Sequence, residues 1–136
     1  MNKEQVLVLL MRFNAVMLLL AIGAVVMPFA WMDAVHRSAG MGPLPDSAIV
    51  HYLTRSASAL YAGYGAVILF LSFDVRRYRP VIIFKALIGV AFGAVMLGLD
   101  VAVGMPWHWT VCEGPFVITM GVAILWLAKG IESQWS

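Results

Sequence analysis

Charge is what this sequence has least of. Only 12% of its 136 residues are Asp, Glu, Lys or Arg, against roughly 25% in soluble domains, while 62% are hydrophobic and the mean hydropathy is +0.91. That balance excludes an ordinary soluble domain and leaves no room for a separate soluble enzymatic unit. Cysteine is nearly absent too. Cys112 stands alone, which excludes an intrachain disulfide framework. A net charge of +2 excludes the strong basic field of a nucleic-acid-binding protein. There is no low-complexity run, soluble linker or internal repeat, so residues 1–136 read as one integral membrane domain. Metal-ligand spacing is missing as well. No pair follows H-x-x-x-H or E-x-x-H, and His36, His51 and His108 occur singly, so no metal or cofactor is assigned.

What the sequence does have is four long apolar runs, at about 6–31, 49–73, 81–105 and 111–127. Each approaches the roughly 20 residues that a helix needs to cross ~30 Å of hydrocarbon. The first is longer than a signal-peptide core and lacks a small-x-small cleavage site, so it reads as a retained span. The expected fold is all-α: a four-helix transmembrane bundle, up-down-up-down. Lysine and arginine set its orientation. Lys3, Arg12, Arg76, Arg77, Arg79, Lys85 and Lys129 gather at one end, and only Arg37 and Arg55 at the other. Cytoplasmic loops carry the excess of positive charge, so both termini are expected inside. Trp31, Trp107 and Trp109 then fit an outer aromatic belt and Trp135 an inner one. Lys85 and Arg12, each near the inner end of a helix, are expected to snorkel.

This orientation collects Asp33, His36, Arg37, Asp46, His51, Arg55, Asp100, His108, Cys112 and Glu113 at the outer side. Counting ~20 residues back from Asp74 at 1.5 Å each puts the outer hydrocarbon edge of the second run near Thr54, and so places Arg55 just inside it. The same count from Val81 puts Asp100 at a similar depth on the third run. Arg55 has two readings. It snorkels to the headgroups, or it pairs with Asp100. The pairing is supported by small-residue stripes below each charge: Ser58, Ala59, Ala62 and Ala66 under Arg55, and Gly89 and Gly93 under Asp100. The expected packing residues are therefore Gly89, Gly93, Ala59 and Ala62.

Glu113 also has two readings. In TVCEGP it completes a capping box with Thr110 as N-cap, or it faces Arg55 and Asp100 as a second acid. Cys112 lies four residues from His108, the spacing of a nucleophile and a base, but a cysteine at a membrane boundary is generally a packing residue. The inner arginines of DVRRYRP suit anionic lipid headgroups, and topology alone accounts for them.

The stretches MPFAWMDAVHRSAGMGPLPD, IVHYLTRSASALYAGYGAVILFLSFDVRRYRP and LDVAVGMPWHWTVCEGP cover most of the chain. Within them R-S-x-S-A-L-Y-A, D-V-R-R-Y-R-P and D-x-x-x-G-M-P resemble the pattern of a family of small four-span bacterial membrane proteins without an assigned activity. The resemblance implies an inner (cytoplasmic) membrane location and carries no cofactor or catalytic residue with it.

Two functional classes follow. The preferred one is a structural or accessory subunit that packs in a larger membrane complex or a homo-oligomer, given the small size, the glycine and alanine faces and the lack of a recognisable catalytic set. The alternative is a protein, or a small membrane enzyme, that binds a small molecule or a lipid headgroup. Its polar pocket at the outer face would be formed by Arg55, Asp100, Glu113, His51 and His108.

Overall fold

The computed structural model of the chain describes residues 1–131, and Trp135, expected at the inner interface, lies outside the described residues. Six helices follow one another: α1 (Lys3–Leu19), α2 (Ile22–Val26), α3 (Phe29–Ser38), α4 (Ala48–Leu71), α5 (Arg79–Val103) and α6 (Trp107–Lys129). No strand occurs among the described residues. Helix α1 opens on a capping box, with Asn2 Oδ1 accepting from the Gln5 amide (2.9 Å) and Gln5 Oε1 from the Asn2 amide (3.0 Å). A tight turn at Leu20 and Ala21 separates α1 from α2, yet hydrogen bonding continues through it, with Ala21 N bonded to Leu18 O and Gly23 N to Leu20 O. The two helices therefore form one 24-residue apolar run, Lys3–Val26.

That run stops five residues earlier than the apolar pattern suggests, because Pro28 cannot continue it. Met27 turns extended (ψ 134°), as the residue before a proline prefers, and Pro28 then leads α3, which replaces part of the expected outer loop. With α1 and α2 taken as one run there are five helices where the pattern gave four. Helix α3 ends at Ser38, and the chain turns away at Gly40, whose φ of 77° is open only to a residue without a side-chain penalty there. Helix α5 ends in the same way at Gly104, φ 74°. Helix α6 begins at Trp107, four residues before the expected start, and carries Pro115 inside it.

Three helices are long and apolar enough to cross a membrane: Lys3–Val26, Arg79–Val103 and Trp107–Lys129. Helix α4 has the length, at 24 residues, but its first half carries His51, Thr54, Arg55, Ser56 and Ser58, which dilute its apolar character.

The chain forms two compact units, and α1 contributes to both. The first comprises Met1–Arg12 and the chain from Leu71 onward. Its main feature is the α5–α6 pair. A Cβ built on Gly93 would lie 2.8 Å from Ile118 Cγ1 and 3.0 Å from Gly114 O. One on Gly114 would lie 2.7 Å from Leu97 Cβ, and one on Gly121 would lie 2.8 Å from Val90 Cγ2. Ala86, Val90, Gly93 and Leu97 thus meet Gly114, Ile118 and Gly121 along one seam, whose backbones approach closely because three positions lack a side chain. Leu7, Met11, Val75, Ile82, Ile124 and Leu127 are buried in the same unit. Its polar end is tied by Arg76, which donates from Nε (3.0 Å) and Nη2 (2.7 Å) to Glu4 Oε2, and by Lys3, which lies 5.3 Å from the Trp126 ring centre. Lys85, expected to snorkel, is instead buried at 9% exposure. Arg12 lays its guanidinium 5.8 Å from the Phe73 ring centre.

The second unit is Phe13–Phe70. Here α4 presses on α1 at Gly65, where an added Cβ would lie 2.9 Å from Ala15 O and 3.0 Å from Leu18 Cβ. Ala15, Ala62 and Ile68 are buried, whereas Ala59 is exposed. The packing stripe of α4 is therefore Ala62–Gly65–Ile68, rotated from the one expected through Ala59. On α5 the expected glycines separate in the same way. Gly93 is enclosed by α6, while an added Cβ on Gly89 would meet nothing within 4 Å.

These contacts predict opposite outcomes for neighbouring glycines. Gly93→Val and Gly114→Val should each cost about 1–3 kcal/mol by overpacking the seam. Gly89→Ala should be neutral or stabilising by up to about 1 kcal/mol, since alanine is the better helix former. Thermal unfolding in detergent measures all three. A loss at Gly89 equal to that at Gly93 would refute the seam.

Candidate functional site

The expected outer residues divide between the two units: His51 and Arg55 in one, Asp100, His108 and Glu113 in the other. In the first of these groups, the break at Pro28 creates the site. Proline has no N–H, and a helix end leaves its last carbonyls without intrahelical donors. Arg55 supplies the donors. Its Nη1 donates to Val25 O and its Nη2 to Met27 O (3.1 Å). The guanidinium is thus a cap on the C-terminal end of α2, where the helix dipole also favours a cation. Residue-type matching, which seeks an acid for every buried arginine, missed this. The only sequence signal is the M-P step at the end of an apolar run.

Around this cap the other polar groups are engaged locally. His51 Nε2 lies 2.7 Å from Asp46 Oδ1, and its ring stacks on Phe29 with centroids 4.8 Å apart. His36 Nδ1 lies 2.8 Å from Gly42 O, so that nitrogen carries the proton and donates. Asp33 holds the following loop. Its Oδ1 accepts from the Leu44 amide (2.7 Å) and its Oδ2 from Arg37 Nε (2.9 Å). The Leu44 amide first, then Arg37, hold the Asp33 carboxyl below its usual range. The Arg37 ion pair itself is solvent-exposed and contributes little to stability.

In the other group, Glu113 is neither a cap nor a free acid. Its Oε2 accepts from Trp109 Nε1 at 2.5 Å, one turn earlier on the same helix. The capping-box reading fails because α6 starts at Trp107, which leaves Thr110 inside the helix with its hydroxyl turned to Pro106 O (3.4 Å). His108 packs edge-on against Trp107, with centroids 6.0 Å apart. Cys112 is a free, exposed thiol. Asp100 differs from all of these. It is 4% exposed, on the last turn of α5, and its Oδ2 has no hydrogen-bond partner.

Among the described residues no three His, Cys, Asp or Glu side chains come together as a metal site. A shallow groove of about 630 Å³ runs along the first turns of α1, where Met1, Glu4, Val8 and Arg12 help to line it.

Two predictions follow from this geometry. Arg55→Met should cost about 1–3 kcal/mol by stripping charged donors from two carbonyls, and Arg55→Lys should recover only part, because lysine lacks the planar fork. Hydrogen exchange at the amides of residues 22–27 reads the loss directly, and unchanged protection would dismiss the cap. For Asp33 the sign is that of a depressed carboxyl. Its tie to Leu44 is complete above the ordinary aspartate pKa of ~3.9 and is lost as pH falls through the lower folded value. Exchange of the Leu44 amide should therefore stay slow through pH 7 and down to about 4, then rise. In Asp33→Ala, which has no side-chain acceptor, it should be fast throughout.

No family model matches the chain, and neither the curated proteins nor the solved structures contain a match to it.

Proposed function

We propose that the chain is a four-span integral membrane protein with both termini cytoplasmic, seated in a bacterial inner membrane, and that it serves as a structural or accessory subunit of a membrane complex or a homo-oligomer. The carrying observation is how the outer polar side chains are spent. Arg55 caps a helix, His51 meets Asp46, His36 holds Gly42 and Glu113 takes Trp109. A ligand pocket needs convergent polar groups left over for the ligand, and these groups already serve the protein. The outward surface is apolar instead. Leu60, Val67 and Phe70 on α4, Phe84, Phe92 and Leu99 on α5, and Phe116, Val122 and Trp126 on α6 are all exposed. Such faces suit lipid tails or another membrane helix. At the inner end, Arg77 stacks on Tyr78 at 5.6 Å and presents its charge to anionic headgroups. A second reading, a small-ligand site at the outer face, has the open oxygen of Asp100 in its favour.

Two measurements test this proposal. In a Cys112→Ser background, Ser38→Cys should react with an impermeant thiol reagent in intact cells, and Arg77→Cys only after permeabilisation. The reverse pattern would overturn the topology. Native mass spectrometry from a mild detergent should then show a second copy or a stoichiometric protein partner. A monomer alone, at all concentrations and in several detergents, would count against the subunit reading.

A further inference from the structure

Asp100 is the one buried polar side chain of the described residues with an atom left unbonded. Its setting can be read from the seam. Gly93 and Leu97 of α5 face Gly114 of α6, and Gly93 also faces Ile118. One turn further along, α5 reaches Asp100 and α6 reaches Thr110 and Val111. Pro115, inside α6, has no N–H, so Val111 O lacks the donor that residue i+4 would normally supply. A membrane helix tolerates such a proline only when something else satisfies the freed carbonyl. The backbone of α6 does turn carbonyls to α5 in this seam, since Gly114 O lies 3.0 Å from the Cβ position of Gly93.

The chemistry of the two groups is the decisive point. A carboxyl oxygen without a proton and a peptide carbonyl are both acceptors, so the two need a cation or a proton between them. Asp100 also lies in the last turn of α5, where the helix dipole is negative and disfavours an anion. The turn amides do not help its side chain. Gly104 N and Met105 N bond to the main-chain carbonyls of Val101 and Asp100. What the site lacks is a positive charge small enough to enter a place 4% exposed. Hard oxygen donors suit hard cations. A single carboxylate in a low-dielectric setting calls for one positive charge rather than two.

We propose that Asp100 binds a small monovalent cation, sodium, with the carbonyl of Val111 on α6 as its second ligand. The cation links the outer ends of α5 and α6 beyond the glycine seam, and this role rests on reading those helices as membrane spans.

The test uses the whole chain in detergent, with sodium exchanged for choline at constant ionic strength and constant pH. The wild-type melting temperature should climb by roughly 5 °C between about 1 and about 200 mM sodium, as a ligand that binds only the folded state requires. Potassium should act more weakly, and Asp100→Asn should melt at one temperature throughout. Tryptophan emission, with Trp107 and Trp109 beside the site, should show a saturable change with sodium in the wild type, so the proposal stays open to refutation if Asp100→Asn does not fold. A flat wild-type response in both measurements overturns it, as does an equal sodium response in Asp100→Asn or a response to pH alone. Thiol labelling of Ser38→Cys and Arg77→Cys in the same preparation reports separately on whether the spans are as read.

Discussion

The structure depends on the need to satisfy main-chain carbonyls where helices stop. In hydrocarbon each unmet carbonyl costs several kcal/mol, because no water is there to replace the missing donor. This chain meets the need in two ways. Where the chain turns back sharply, at Gly40 and Gly104, a left-handed glycine folds the next amides onto the last carbonyls. Where the chain runs on without such a turn, an arginine from another helix takes over. Arg55 of α4 caps α2, and Arg79, the first residue of α5, donates from Nε to Ala128 O (2.9 Å) and from Nη2 to Lys129 O (3.4 Å) at the end of α6. Arg55 stands two turns into α4 and Arg79 at the first residue of α5. The fork of the guanidinium, with two donors at a fixed spacing, reaches two carbonyls at one helix end as it would reach the two oxygens of a carboxylate.

Seams between helices solve a different problem. Inside a bilayer, apolar side chains gain nothing by leaving lipid for protein, so helices associate where small residues allow close van der Waals contact. Gly93, Gly114 and Gly121 provide this for α5 and α6, and Gly65 against Ala15 provides it for α4 and α1. In each case the approach is backbone to backbone. Substitution at these points acts on helix spacing itself, while the exposed phenylalanines and leucines outside can vary in shape at little cost.

The sequence made the helices legible because length and hydropathy are local properties. The bounds of α4 and α5 fall within two residues of the apolar runs. Three features lay beyond such reasoning. Arg55 was matched to a carboxylate because residue types are visible in a sequence and free carbonyls are not. The acceptors at Val25 and Met27 exist only because Pro28 breaks the run. Gly89 and Gly93 lie on one stripe by spacing, yet the seam runs through Ala86, Val90, Gly93 and Leu97, so only Gly93 of the two meets α6, and no one-helix pattern encodes the partner's register. Glu113 looked like a cap because TVCE has the right letters, but Pro106 starts the helix a turn earlier and leaves Trp109 as the donor within reach. At the N-terminus, N-x-x-Q forms the capping box that T-x-x-E does not.

The asymmetry between Arg55 and Asp100 follows from the same constraint. A cation in a helical membrane protein finds acceptors readily, because every helix end offers up to four carbonyls and a negative dipole. An anion has fewer choices. Free amides occur only at helix starts, and Asp100 stands at the opposite end of α5. Arg55 is therefore at rest without an acid, whereas Asp100, at the negative end of α5, keeps an oxygen that no group of the described protein satisfies. The chain has arranged its cations as structural caps and left one buried anion over, and that surplus is the chemical feature of the fold that its own packing does not account for.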